Sequence, residues 1–335
     1  MATTKVTVLM SVYNGEKYLK EAIDSILNQT FNDFEFLVVN DGSTDKTEDI
    51  LQAYDDLRIK IINNGKNIGL TKSLNKGLKL AKGEYIARMD ADDISMPGRL
   101  EREVEFLDKN PAVGLVGTYY LMINRKGNVL HTMKCLTESV ELKEKLLRNN
   151  QFCHGSVMFR AECIKNLGSY REELGQDYDL WLRISENYEV ANIFEFLYKW
   201  RLDINSISVT KKSIQDKYTL LAIELAKERR QFGKDRFQSL AREKTDKLLD
   251  DLFPKTQSRK EIAKSYYFWC RTLFSGKDYQ DALKLLLKSF ISDPMALWIL
   301  ILRDMILLPK YRIRLLSFVK LHLASKDTDK RESEA

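Results

Sequence analysis

The stretch VTVLMSVYNGEKYLKEAIDSILNQTFNDFEFLVVNDGS, residues 6–43, decides the fold. It opens with a mainly β-branched apolar run at 6–10, continues with apolar residues at helical spacing over 18–27, and ends in a second apolar run at 34–39. The two runs predict buried strands, and the spacing between them predicts a helix. The order strand, helix, strand indicates the unit from which parallel sheets are built.

The same alternation continues to about residue 90. Helical spacing is present over 44–54 and 70–81, and strand-like runs occupy 59–62 and 84–89. We therefore predict an α/β domain with a mostly parallel central sheet. In open parallel sheets, ligands bind beyond the carboxyl ends of the strands, so the residues just after each strand are the first candidates for function.

Composition indicates a folded protein that stays in a reducing compartment. The 335 residues are 44% hydrophobic and 30% charged with 5 Pro, which excludes collagen-like, low-complexity and wholly disordered classes. The four Cys are scattered without C-x-x-C spacing, which argues against a disulfide framework or a structural zinc site and favours a reducing compartment. We expect no secretory signal before the first strand, and the longest apolar run, 295–302, is far below the roughly 18 residues of a membrane-spanning helix. We expect a cytoplasmic location.

Strand patterns end near residue 210, and helical patterns follow over 218–232, 262–274, 279–291 and 297–307. The sequence thus predicts an α/β domain over 1–210, an all-α region over 211–324 and a disordered tail over 325–335. Apolar spacing around the turn at 276–278 is typical of a helical hairpin of the tetratricopeptide kind. An ordinary helical cap on the core is the alternative.

Charge is distributed unevenly along the chain. Residues 1–210 carry 27 Lys and Arg against 31 Asp and Glu, whereas residues 211–335 carry 27 against 17. Nucleic acid, an anionic membrane surface and a solvated helical face are the three interpretations of such a basic region. In the segment 308–316 the cations alternate with Leu and Ile and no aromatic platform for base stacking is present, so we expect no nucleic acid. An amphipathic helix at an anionic membrane surface fits better, and a plain solvated helix is the alternative.

Polar clusters stand at the ends of the predicted strands, at 11–15, 40–45, 67–70 and 90–93. The last contains three carboxylates, Asp90, Asp92 and Asp93, directly after an apolar run. Carboxylates this close repel one another unless a cation or hydrogen-bond donors balance them. Oxygen ligands suit Mg²⁺ or Mn²⁺, which commonly bind substrate phosphates together with one or two carboxylates. The cluster therefore indicates a metal and a diphosphate ligand, with a solvated acidic turn as the alternative.

Five motifs in order carry a family resemblance. They are VTVLMSVYN, VVNDGSTD, N-x-G-L, ARMDADD and GQDYDLWLR, spread over about residues 4–210. Together they resemble the family 2 glycosyltransferases with the GT-A fold. Each motif alone is weak, and the specificity comes from the shared order and spacing.

The resemblance implies a donor site for a nucleotide sugar. Ser11, Val12 and Tyr13 match the first donor-binding loop, with Ser11 standing where many members have Pro, and Asp41 matches the acid that contacts uracil or ribose. The resemblance also implies that Lys66, Asn67 and Lys72 help to hold the nucleotide. In the acidic motif, Asp90 and Ala91 would lie on the ribose side, and Asp92 would be the metal ligand.

The resemblance also implies the catalytic residues on the acceptor side. Asp177 matches the general base, although a carboxylate in a first helical turn can also be a simple helix cap, and Gln176 stands where the family often has Glu. Asp203 occupies a position where the family often has a metal-binding His, so it is either a metal ligand or a solvent-facing acid. His154 is either a pocket residue or a structural one.

These positions imply an inverting, metal-dependent enzyme that uses Mn²⁺ or Mg²⁺. It would move a hexose or N-acetylhexosamine from a UDP-sugar to a saccharide or lipid-linked oligosaccharide acceptor, in bacterial surface-polysaccharide synthesis, with the enzyme peripheral on the cytoplasmic face of the inner membrane. The alternative is a catalytically inactive relative that acts as a binding or docking module.

Overall fold

The structure is a computed structural model that describes residues 4–136, 139–171, 177–239 and 257–307. The chain divides into two compact units, Met1–Asp203 with Ile214–Lys255, and Ile204–Ser213 with Thr256–Ala335. The domain boundary at residue 210 stays a prediction, and the predicted tail, 325–335, lies outside the described residues.

The first unit holds every strand of the described residues. The strands are β1 (Val6–Val12), β2 (Phe34–Asn40), β3 (Ile59–Asn63), β4 (Tyr85–Asp90), β5 (Ile94–Ser95), β6 (Val113–Ile123), β7 (Val129–Met133), β8 (Met158–Arg160) and β9 (Glu189–Arg201). Helices cover the connections: α1 (Leu19–Leu27), α2 (Thr47–Gln52), α3 (Leu70–Leu80), α4 (Arg99–Lys109), α5 (Ser139–Leu146), α6 (Ala161–Leu167) and α7 (Asp177–Asn187). After the short α8 (Ile207–Thr210), α9 (Lys212–Phe232) and α10 (Arg236–Ser239) follow.

All nine strands form one sheet in the order β3-β2-β1-β4-β8-β6-β9-β5, with β7 paired to β6 beside this path. The pairings from β3 to β4 are parallel, whereas β8 runs antiparallel to both β4 and β6, and β6 is parallel to β9. The register sets Ser11 of β1 opposite both Asp90 of β4 and Val39 of β2. The carboxyl ends of β1, β2 and β4 therefore lie side by side at one edge.

The parallel part of the sheet is buried on both faces. All seven residues of β1 and of β2 are buried, which is why both read as continuous apolar runs rather than as alternating ones. On one face α3 lies so close to β1 that a Cβ on Gly77 would stand 2.2 Å from Leu9 Cδ1. This close packing holds the second half of α3 against the sheet.

The second unit is helical in its described part. It contains α8, α11 (Arg259–Ser275), α12 (Tyr279–Ser292) and α13 (Pro294–Leu307). Ser258 and Glu261 form a capping box at the start of α11, and the Asp278 side chain caps α12. The Ser289 hydroxyl donates to the Ala263 carbonyl at 2.8 Å and joins α12 to α11, so the hairpin predicted around 276–278 is present.

The predicted class, an α/β catalytic fold with a helical C-terminal region, is confirmed. Each of the four strands and three helices expected between residues 6 and 90 is found within a few residues of its predicted bounds. No described helix combines the length and the apolarity that crossing a bilayer requires.

Candidate active site

The loops after β1 and β2 are joined by hydrogen bonds at the sheet edge. The Asn14 amide donates to Ser43 Oγ at 2.9 Å, and the Thr44 amide donates to Asn14 Oδ1 at 2.8 Å. Asn14 has a φ of 52°, a left-handed conformation that Asn tolerates better than most residues. Of the three residues predicted to line this part of the donor site, Ser11 and Val12 are buried in β1, and only Tyr13 is largely exposed, at 49%. We therefore expect Tyr13 to offer a side chain to a ligand and the other two to offer backbone.

Asp41 is buried at the end of β2 and ties the next loop to the sheet. Its Oδ1 accepts from Asn64 Nδ2 and the Ile68 amide, both at 2.9 Å, and its Oδ2 accepts from the Gly69 amide at 2.9 Å. Asn64 in turn donates to Ser73 Oγ of α3 at 2.8 Å. The predicted nucleotide-reading acid thus also organises the local backbone.

Lys66 and Asn67 lie beside this edge because the backbone passes close to Gly42. A Cβ on Gly42 would stand 2.4 Å from the Lys66 carbonyl carbon, and its φ of 69° favours glycine. The side chains of Lys66 and Asn67 are exposed, as is Lys72 in the first turn of α3. The structure therefore brings the segment 66–72 to the same edge as Asp41.

The acidic motif follows β4 and rests on a buried arginine. Arg88, 1% exposed, donates from Nη2 to Asp90 Oδ1 at 2.6 Å. Burial alone would raise the pKa of Asp90, but the charge of Arg88 and its hydrogen bond hold the pKa below the usual carboxyl value. Asp90 is therefore ionised and anchored, and Ala91, next to it, is half-buried at the tip.

Arg201 at the end of β9 fixes the other side of this motif. Its amide donates to Asp93 Oδ1 at 2.7 Å, and its Nε donates to the Asp92 carbonyl at 2.7 Å. Its Nη2 also reaches Glu21 of α1 at 2.5 Å. Arg201 thus orients the backbone of 92–93 and leaves the carboxylate of Asp92 out of these contacts.

The charge balance at the tip fits a divalent cation. Burial and the neighbouring charge of Asp90 raise the pKa of Asp92 to about 7, and burial and the charges of Asp92 and Asp90 raise that of Asp93 well above the usual value. A cation would relieve this repulsion, as it does where one or two carboxylates bind Mg²⁺ together with phosphates. Within the described ranges no three acidic, His or Cys side chains converge as a ready metal cluster. The carboxylates present therefore suit an ion that completes its coordination with oxygens of the substrate and of water.

Asp203, the second predicted ligand, contacts the start of α1. Its Oδ2 lies 3.5 Å from Lys17 Nζ and accepts from the Tyr18 hydroxyl at 3.4 Å. The side chain is 15% exposed, so it is not the solvent-facing acid of the alternative interpretation. Its role as a ligand stays a prediction.

Asp177 stands at the start of α7, as the helical spacing predicts. Its Oδ2 accepts from Asn150 Nδ2 at 3.1 Å and from Trp181 Nε1, one turn along the helix, at 3.3 Å. Both donors hold the carboxylate in one orientation. Gln176, the neighbouring position discussed above, lies outside the described residues.

His154 and Tyr170 connect the two acidic positions. His154 Nε2 lies 3.2 Å from the Tyr170 hydroxyl, and both side chains feel the charges of Arg88, Asp90 and Asp177. Burial and, second, the charge of Arg88 lower the pKa of His154 to about 4, so the imidazole is neutral at pH 7. The Trp181 ring, whose Nε1 donates to Asp177, lies 6.0 Å from the ring of His154, and a Cβ on Gly155 would stand 3.0 Å from Asp90 Oδ2. Asp90 and Asp177 therefore lie about one small group of side chains, although they are far apart in sequence.

A network of buried ion pairs stabilises α7. Asp179 accepts from Arg183 Nε at 2.8 Å, and Arg171 and Arg229 both donate to Asp235, at 2.9 and 2.6 Å. Removing one member would leave an uncompensated buried charge, which is strongly destabilising. The acidic and basic residues that follow Asp177 in its motif are therefore structural.

Comparison with known proteins identifies the family. The family model "Glycosyl transferase family 2" matches residues 7–168. An uncharacterized glycosyltransferase of Methanocaldococcus jannaschii is 38% identical over 226 residues, which are 64% of this chain and 78% of that protein. The chain belongs to glycosyl transferase family 2. Another relative of this family 2 glycosyltransferase is the O-antigen biosynthesis glycosyltransferase WbnJ of Escherichia coli, 35% identical over 62% of this chain and 82% of that protein.

Solved structures confirm the fold of the family 2 enzyme. S. aureus TarS 1-349 in complex with UDP-GlcNAc matches with a TM-score of 0.56 at 17% identity, covering 85% of this chain and 89% of that one. The mannosyltransferase PcManGT from Pyrobaculum calidifontis, in complex with GDP-Man and Mn²⁺, matches with a TM-score of 0.52 at 18% identity, covering 88% and 87%. The predicted GT-A-like fold is confirmed.

Sequence reasoning missed four side chains that the geometry brings to the glycosyltransferase site. They are Arg88, Asn150, Tyr170 and Arg201, and each contacts a predicted site residue or its backbone or lies between two of them. Arg88 could have been found, because an arginine in the middle of an apolar strand two residues before a carboxylate needs a counter-charge. Asn150 and Tyr170 carried no such signal.

Proposed function

We propose that this family 2 glycosyltransferase transfers a hexose or N-acetylhexosamine from a UDP-sugar to a saccharide hydroxyl with inversion. The observation that supports the proposal is that Asp90 and Asp177 lie near His154: Trp181, which donates to Asp177, has its ring 6.0 Å from that of His154, and a Cβ on Gly155 would stand 3.0 Å from Asp90 Oδ2. An inverting displacement needs a stabilised leaving group on one side of the sugar and a base on the other. A cation held by the acidic tip would stabilise the leaving diphosphate, and Asp177 at the start of α7 would be the base.

The donor's nucleoside diphosphate would lie along the edge formed by β1, β2 and β4. Tyr13, Asp41 and the segment 66–72 would hold the nucleoside, and the exposed lysines 66 and 72 would add positive charge near the diphosphate. Asp92, with Asp203 as a second candidate, would hold Mn²⁺ or Mg²⁺. When bound, the ion neutralises the charge that develops on the leaving diphosphate. UDP-GlcNAc in TarS supports a UDP-sugar as donor.

Asp177 would remove the proton from the acceptor hydroxyl as it attacks the anomeric carbon. The two hydrogen bonds to its Oδ2 leave Oδ1 as the oxygen for this task. The C1–O bond to the diphosphate breaks as the new C1–O bond forms on the opposite face, so no covalent enzyme intermediate is needed. Neutral His154 and Tyr170 would line the space between the reacting groups.

The acceptor would belong to a surface polysaccharide, carried on a lipid at the cytoplasmic face of the membrane. The name of WbnJ, an O-antigen biosynthesis enzyme, supports this setting. No observation supports the alternative, an inactive relative that serves as a docking module, because an acid is present at each predicted catalytic position.

A donor panel tests the proposal. The purified chain with Mn²⁺ should bind at least one UDP-hexose or UDP-N-acetylhexosamine in isothermal calorimetry and slowly release UDP from it. Binding should fall on addition of EDTA, and GDP-mannose should bind much more weakly. Binding of GDP-mannose alone would contradict the predicted donor, and binding of no sugar nucleotide would contradict the enzyme itself.

A further inference from the structure

Lys17 lies in the loop between β1 and α1, and its amine lies beside Asp203, just after β9. The distance from Lys17 Nζ to Asp203 Oδ2 is 3.5 Å, and the amine is 4.5 Å from the centre of the Tyr18 ring. The Tyr18 hydroxyl donates to the same Asp203 oxygen at 3.4 Å. The carboxylate and the ring both attract the ammonium group, so they hold it in one place although the lysine side chain is 56% exposed.

Arg201 connects this place to the acidic tip. Its guanidinium lies 4.4 Å from the centre of the same Tyr18 ring, and its Nε donates to the Asp92 carbonyl at 2.7 Å. Tyr18 therefore contacts both Lys17 and the arginine that orients residues 92–93. A diphosphate bound at Asp92 would lie close to this ring, within reach of Lys17, whose long stem is flexible.

The ion pair between Lys17 and Asp203 is loose. Its length of 3.5 Å exceeds the roughly 2.8 Å of a charge-assisted hydrogen bond, and exposed ion pairs add little to folding stability. An ammonium group has several N–H donors, so it can contact Asp203 and a phosphate at once. The pair thus fits a lysine that is kept near a ligand better than a lysine that stabilises the fold.

We propose that Lys17 binds the diphosphate of the sugar nucleotide, with Tyr18 and Asp203 holding its amine in place. The inference rests on the proposed function and adds a cation beside Asp203, whereas Lys66 and Lys72 lie on the side of Asp41. A compact positive charge suits a phosphate group. Because the diphosphate gains negative charge as its bond to C1 breaks, this contact would strengthen in the transition state.

Titrations of UDP by calorimetry and of uridine by NMR, both at saturating Mn²⁺, test this contact. Lys17→Gln should weaken UDP binding about tenfold or more, because it removes an ionic hydrogen bond to a phosphate, and should leave uridine binding unchanged. Lys17→Arg should restore most of the UDP affinity. Raising NaCl from about 0.1 M to about 0.5 M should narrow the difference between Lys17→Gln and the unaltered protein, since salt screens an exposed charge.

Asp203→Asn supplies the background that separates a direct contact from an indirect one. If Lys17 contacts the diphosphate, Lys17→Gln should still weaken UDP binding several-fold in the Asp203→Asn chain. If Lys17 acts only by holding Asp203, for example as a metal ligand, the second substitution should have no further effect, and the inference would be wrong.

Lys20→Gln is the matched control, because Lys20 lies three residues further along the chain, is 75% exposed and pairs with Asp24 at 2.8 Å. It should bind UDP like the unaltered protein. All the variants should unfold at the same temperature as the unaltered protein, because the lysines replaced are exposed.

Equal UDP affinities of Lys17→Gln and Lys20→Gln would remove Lys17 from the donor site and leave the proposed function intact. A loss of uridine binding as large as the loss of UDP binding would also overturn the inference, because the effect would then not depend on the phosphates. If the unaltered chain bound no UDP at all, the proposed function itself would fail, and the inference with it.

Discussion

Asp177→Asn is expected to lower the rate of sugar transfer by about 10²- to 10⁴-fold, the usual contribution of a positioned general base. Donor affinity should change little, because Asp177 contacts Asn150 and Trp181 and not the acidic tip. The amide can still accept these two hydrogen bonds, so the fold should be kept. Transfer rates measured with saturating donor, together with calorimetric binding of the donor, check both parts.

Asp55→Asn is the matched control for this variant, since Asp55 is an exposed aspartate in the same unit. It should retain full activity. A transfer rate for Asp177→Asn that stays near that of Asp55→Asn would remove Asp177 from the mechanism, even if the enzyme proved active.

Asp92→Asn is expected to abolish the metal-dependent part of donor binding and to lower transfer by at least about 10³-fold, because an ion held at this position would stabilise the leaving diphosphate by several kcal/mol. Burial and the charge of Asp90 raise the pKa of Asp92 to about 7. A cation must displace that proton, so the affinity of the unaltered protein for Mn²⁺ should rise with pH up to about 7 and then level off.

Calorimetric titration of Mn²⁺ in the presence of UDP, at several pH values, measures this dependence. Asp92→Asn should bind Mn²⁺ weakly at every pH, and Asp55→Asn should follow the unaltered protein. If Asp92→Asn bound Mn²⁺ and UDP normally, the metal would be held elsewhere, and Asp203 would be the next residue to replace.

The first half of the fold could be predicted because each element carries its own local signal. Buried parallel strands such as β1 and β2 are continuous apolar runs, and α1 and α3 have clear helical spacing. The edge where their loops meet follows from the parallel topology alone. For that reason Asp41 and Asp92 could be placed near one another without coordinates.

The second half of the sheet could not be predicted in the same way. β6 and β9 are long strands of 11 and 13 residues with shifts in register, and β8 has only three residues. Their pairings are antiparallel as well as parallel and join residues distant in sequence, so no local sequence pattern predicts them. Asn150 and Tyr170 reach the site through these elements and the loops between them, which is why spacing alone did not reveal either.

The central prediction is that Asp92 and Asp177 face one sugar nucleotide from opposite sides. A crystal structure with a UDP-sugar and Mn²⁺, with anomalous data at the manganese edge, tests this directly. We expect one anomalous peak within coordination distance of an Asp92 carboxylate oxygen and of both phosphates, with the Asp177 carboxylate on the opposite side of the anomeric carbon. A diphosphate bound away from Asp92, or Asp177 turned into a separate cavity, would contradict the account.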